Sequence, residues 1–119
     1  MSFFNVLFLF SIFTISFSQN ILSISNASIN AGESTGLDVS LANADEVYGF
    51  QMDIQDWPDY GDFGTEVNST ERSDHMTISS NIQPDGTLRI VGFSLTFEPL
   101  LAGEGPILGI SYISTGIYD

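Results

Sequence analysis

His75 is the only imidazole in the chain, and with Asp74 beside it and Ser73 and Ser79 close by it collects the residue types of a serine hydrolase. The spacing argues against that chemistry. His75 opens a short segment of strand character, 75–79, and neighbours on a strand point to opposite faces, so Asp74 would not orient the ring. Fifteen acidic residues could supply a carboxylate pair of the glycosidase kind. A domain of about 100 residues built from short strands, however, has little room for the cleft such a pair needs. No catalytic residue is expected. Asp56, Asp59 and Asp62, with Glu66 beyond, carry the oxygens that Ca²⁺ takes, but not at the spacing of an EF-hand loop, and solvated loop acids are the simpler account. Trp57, Tyr60 and Phe63 offer flat faces on which sugar rings stack. Against that, a Trp buries a large area, and Trp57 is expected to cap one end of a core. Asn26-Ala27-Ser28 and Asn68-Ser69-Thr70 are glycosylation sequons, meaningful only in a eukaryotic secretory pathway.

The elements that would carry these residues are strands. Beyond Gln19 the apolar pattern has a period of two, and no eleven-residue window shows a helical stripe. In Thr35 to Leu41, Leu37, Val39 and Leu41 alternate with Gly36, Asp38 and Ser40; in the next segment Tyr48, Phe50, Met52 and Ile54 alternate with Gly49, Gln51, Asp53 and Gln55. Ile21 to Ser25, His75 to Ser79, Thr87 to Ser94 and Ile107 to Ser114 are further strand candidates. Asn30-Ala31-Gly32-Glu33, Pro84-Asp85-Gly86 and Ala102-Gly103-Glu104-Gly105-Pro106 supply turn residues between them. Asp56 to Ser73 loses alternation and reads as a long surface connection. The expected fold class is all-β, an antiparallel two-sheet sandwich with Greek-key or jelly-roll connections.

Residues 1–18 carry no charged side chain, and an apolar run from Val6 to Phe17 ends in Ser16-Phe17-Ser18. This is the pattern of a secretory signal peptide, with Gln19 as the mature start and residues 19–119 as one small domain. An uncleaved anchor would need roughly 20 apolar residues, and this run is broken by Ser11, Thr14 and Ser16. There is no Cys, hence no disulfide and no thiolate chemistry, and export without disulfides leans towards a bacterial source. Two Arg, no Lys and fifteen acids give a net charge of −13. That sign repels phosphate backbones and anionic lipid, which argues against nucleic acid and membrane surfaces as partners and in favour of cations or a basic protein surface. Plain solubility accounts for the acidity equally well.

Three segments together resemble a cohesin domain. They are the turn and strand Asn30-Ala31-Gly32-Glu33-Ser34-Thr35-Gly36-Leu37-Asp38-Val39-Ser40-Leu41; Val47-Tyr48-Gly49-Phe50-Gln51-Met52-Asp53-Ile54 followed by Pro58; and Asp85-Gly86-Thr87-Leu88-Arg89-Ile90-Val91-Gly92-Phe93-Ser94 with Gly103 to Ile110 after it. Asp56-Trp57-Pro58 departs from the family's "Y-D-P" turn, and members of that family usually run on for a further strand or two past the position of Ile113, so the sandwich here is expected to lack its last strand or strands. The resemblance implies a non-catalytic extracellular docking module whose partner is a dockerin-bearing protein, in an assembly that degrades polysaccharide or decorates a surface. Any Ca²⁺ would then sit in the dockerin. Carried over by position, it implies a binding face at Gln51 and Asp53, with Gly49 and Gln55 beside them and Arg89 and Val91 on the neighbouring strand. Which row of that neighbour faces inward, Leu88 with Ile90 or Val91 with Phe93, stays open. Two alternatives are a carbohydrate-binding module using Trp57 and Tyr60, and a structural sandwich from a larger surface protein.

Overall fold

The computed structural model describes residues 3–5, 7–13, 20–26, 28–30, 32–57 and 59–115. Among them ten strands and no helix are found: β1 (Phe3–Asn5), β2 (Leu7–Phe13), β3 (Asn20–Ile24), β4 (Ser28–Asn30), β5 (Ser34–Asn43), β6 (Gly49–Trp57), β7 (Gly61–Ser69), β8 (Thr77–Ile82), β9 (Leu88–Phe93) and β10 (Pro106–Ser114). Alternation in the sequence becomes alternation of burial. Leu37, Val39 and Leu41 of β5 are buried and Asp38 is exposed; Phe50, Met52 and Ile54 of β6 are buried and Gln55 is exposed.

All pairings are antiparallel, in two four-stranded sheets of order β3-β5-β10-β7 and β2-β6-β9-β8, plus the short pair β1–β4. The inner rows of both four-stranded sheets merge into one apolar cluster, with Leu22, Leu37, Val39, Leu41, Ile107, Leu108 and Ile110 from the first and Phe50, Met52, Ile54, Leu88 and Ile90 from the second. Buried apolar side chains on both sheets are what hold an all-β domain without disulfides together. A bulge between Pro106 and Leu108 lets Ile107 and Leu108 both reach that core despite being neighbours. Where β7 meets β8 at the border of the sheets, the Ser80 hydroxyl donates to the Thr65 carbonyl at 3.0 Å.

The chain passes from one sheet to the other between β5 and β6, β6 and β7, β7 and β8, and β9 and β10. Arg72 fastens the last of these crossings. Its guanidinium donates to the carbonyls of Leu41 (2.7 Å), Gly105 (2.9 Å) and Leu101 (3.1 Å) and to Asn43 Oδ1 (2.8 Å), tying residues 101–105 to the end of β5. β8 and β9 form a hairpin around Pro84-Asp85-Gly86, where Gly86 has φ +89° and Asp85 Oδ1 accepts from the Thr87 amide.

Three expectations need correction. Asp56 to Ser73 is not a loop: Asp56 belongs to β6, and Gly61–Ser69 is β7. The alternation that would have announced β7 is broken by a register shift, since Phe63 pairs with Tyr112 and Val67 with Ile110, leaving more residues on β7 than on β10 between them. Trp57 does not cap the core; it continues the outward row of β6 and is 61% exposed. His75 lies in a turn rather than opening a strand, and β8 begins at Thr77. Segments 3–5 and 7–13, inside the expected signal peptide, pair as strands with β4 and β6. Gln19 and the expected cleavage residues Ser16, Phe17 and Ser18 lie outside the described residues, as does Pro58.

Candidate functional site

The outward rows of β6, β9 and β8 line up across one sheet. Register places Asp53 beside Arg89 and Arg89 beside Asn81; Gln51 beside Val91 and Val91 beside Ser79; Gly49 beside Phe93 and Phe93 beside Thr77. Leu88 and Ile90 are fully buried, so the inward row of β9 is settled and Arg89, Val91 and Phe93 face out. Gly49, Gln51, Asp53, Gln55, Arg89 and Val91 therefore all fall on the same face. Each has a simple local reason to do so, because a two-residue period sends every second side chain of a half-buried strand to solvent.

Its strongest polar feature is the Arg89–Asp53 pair, bidentate, with Nε to Oδ1 at 2.8 Å and Nη2 to Oδ2 at 3.0 Å. These hydrogen bonds hold the Asp53 carboxyl below its ordinary value and Arg89 above its own. Asp85 is also lowered, first by the hydrogen bond from the Thr87 amide. Asp53 and Arg89 line a groove of about 350 Å³ together with Gln83, Pro84, Asp85 and Thr87 of the β8–β9 turn.

One end of the face is apolar, a feature missed in the sequence. Phe93 is 39% exposed and Tyr48 half exposed, and in the following bend Leu95 and Phe97 stand well out, Phe97 at 84% with φ +63°. The Ser94 amide donates to the Tyr48 carbonyl at 3.1 Å, which holds the bend against the start of β6. The apolar side chains of Phe93-Ser94-Leu95-Thr96-Phe97, which run past the end of β9, are the signal that could have marked it. The Tyr48 phenol donates to Glu46 Oε2, and that hydrogen bond raises its pKa.

The other candidates disperse. Asp56 is buried, and its Oδ2 accepts from the Tyr112 hydroxyl (2.7 Å) and from the amides of Tyr60 (3.1 Å) and Gly61 (3.2 Å). It thus serves as a buried structural acceptor for the start of β7 and for β10. Among the described residues no three acids or imidazoles converge as a metal site would require. Trp57 is exposed, Tyr60 half-buried, and Phe63 buried edge-to-face on Tyr112 at 5.3 Å, so no aromatic platform of three rings exists. His75 and Asp74 approach to 3.6 Å, which strand geometry had seemed to forbid, because both lie in the turn. Yet His75 Nε2 is 2.9 Å from the Pro99 carbonyl, and the fully buried Ser73 hydroxyl donates to the Ile107 carbonyl, so neither hydroxyl nor ring is set up for nucleophilic attack.

No protein-family profile, no curated protein and no solved structure matches the chain.

Proposed function

We propose that this chain is an exported, non-catalytic docking module of cohesin type, binding a dockerin-bearing protein on the outer face of β6, β9 and β8. The observation that carries the proposal is positional. All six residues that the resemblance implicates, from two separate sequence segments, fall on one face, with Gln51, Asp53, Arg89 and Val91 adjacent at its centre. The sheet changes after β5, β6, β7 and β9 support a Greek-key or jelly-roll winding, and a net charge of −13 favours a partner with a basic contact surface. A polar centre with exposed apolar side chains at Phe93 and Phe97 has the make-up of a protein interface.

The test is capture from secreted proteins of the host, with and without EDTA. Recovery of a dockerin-bearing protein, lost with EDTA and at least about tenfold weaker for Asp53→Ala, is the expected result. Capture unaffected by Asp53→Ala and by Val91→Asp would refute the face. The exposure of Trp57 in the same outward row favours one second reading, carbohydrate binding at Trp57 with Tyr60 beside it. Retention on a polysaccharide that is abolished by Trp57→Ala, with no protein captured, would establish it instead.

A further inference from the structure

β6 has β9 on one side and only residues 7–13 on the other. Seven consecutive positions pair there, from Leu7 with Trp57 to Phe13 with Gln51, with no shift of register. Phe8, Phe10 and Ile12 match Asp56, Ile54 and Met52, the inward row of β6; Leu9, Ser11 and Phe13 match Gln55, Asp53 and Gln51, the outward row. The same residues 7–13 belong to the segment whose composition is that of a leader removed on export. Once it is removed, one edge of β6 is left without a neighbouring strand over seven residues, every second of which turns its N–H and C=O towards that edge. Gln51–Trp57 contains no Lys, no Pro and no bulge, and its two acids are each held by another strand, Asp53 by Arg89 and Asp56 by Tyr112, so the edge is protected by charge alone. An edge of that kind is a template for strand addition.

We propose that the outer edge of β6 is a strand-acceptor slot, which residues 7–13 occupy in the unprocessed chain and a partner's extended segment occupies after export. The occupant is defined by what the slot pairs with now. It runs antiparallel to β6 over seven residues, with apolar side chains opposite Met52 and Ile54. Beside Gln51, Asp53 and Gln55 it carries neutral or basic ones, in keeping with the acidity of the acceptor. A second copy of this chain fits poorly, because two molecules of net charge −13 would have to meet edge to edge. The slot takes from the docking proposal only the removal of the leader; it concerns the backbone edge and not the outer face, so either can fail alone.

The absence of Cys makes the register directly testable. In the unprocessed full-length chain, Ser11→Cys with Asp53→Cys places two thiols on directly opposed residues, and oxidation is expected to join them, while Ile12→Cys with Asp53→Cys, on opposite faces, stays reduced. Amide exchange is then compared between the unprocessed chain and the product recovered after secretion. Those amides of Gln51–Trp57 that face residues 7–13 are expected to exchange about tenfold or more faster in the secreted product, those facing β9 and those of Leu88–Phe93 to stay protected, and a lysine-flanked peptide of residues 7–13 to restore the slow exchange where a scrambled peptide does not. Equal exchange at Gln51–Trp57 in the two forms, or no disulfide, overturns the slot. So does loss of protection throughout β9, which would make residues 7–13 an integral strand, or protection of the edge by dimerisation of the secreted product.

Discussion

Removing the Arg72 side chain should weaken the domain more than any other single surface change. The guanidinium satisfies four acceptors spread over two chain segments: Leu41 and Asn43 at the end of β5, and Leu101 and Gly105 in the crossing to β10. Three of these bonds are half-buried and one is exposed. Crediting about 1 kcal/mol to each half-buried bond, and nothing to the exposed one, gives a loss of about 3 kcal/mol for Arg72→Ala. That is a large share of the roughly 5–15 kcal/mol by which such domains are stable, and for a chain of 119 residues it lowers Tm by about 12 °C. Urea unfolding followed by circular dichroism measures it, since the exposed Trp57 is a poor fluorescence probe of the core. Lys is a compact charge that cannot span four acceptors, so Arg72→Lys should recover only about 1 kcal/mol. The neighbouring backbone bonds, Asn43 amide to Gly103 carbonyl at 2.8 Å and its reciprocal at 2.9 Å, should exchange faster in both variants. A loss below about 1 kcal/mol for Arg72→Ala, or a Lys variant as stable as the parent, would refute the clip.

Tyr112→Phe removes the hydroxyl that donates to buried Asp56, and depriving a buried acceptor of one donor predicts a cost of about 1–2 kcal/mol by urea titration. Gly92→Ala should be destabilising by a similar or larger amount, about 2–3 kcal/mol, because a Cβ there would overlap the buried Phe50 ring; Phe50→Leu, which shortens that ring, should restore part of it in a double-mutant cycle. Asp53 has its folded pKa depressed below 3.8 by Arg89, so its contribution to stability is complete above that value and disappears as pH falls through the folded pKa. Asp53→Asn should accordingly flatten the acid limb of a stability-against-pH curve measured from pH 5 to pH 2, and an unchanged limb would count against the ion pair.

In the second sheet the legible strand was β6. β6 alternates without interruption, so both its inward row and its outward candidates could be read directly. β9 could not be, since Leu88-Arg89-Ile90-Val91-Gly92-Phe93 is apolar on both phases; only pairing with Met52 and Ile54 picks Leu88 and Ile90 as the buried row and turns Phe93 out. β7 was hidden by its register shift, and by Asp56 just before it, an acid in an inward position that looks like loop composition until Tyr112 supplies its donor. Proximity of Asp74 and His75 depended on a turn whose bonds, Ser73 amide to Thr70 carbonyl and Met76 amide to Ser73 carbonyl, leave no mark in residue type.

The two arginines have a consequence for kinetics. They are the only side chains that carry a fixed positive charge, and each is engaged by groups of the same chain, Arg72 by four acceptors of the crossing and the outward-facing Arg89 by Asp53. A diffusing molecule therefore meets a surface of strongly negative net charge whose cations are already matched by acceptors of the chain itself. Encounter with a basic surface should speed up as salt is diluted and slow down as it is added, while the half-life of the complex, set by short-range contacts, changes far less.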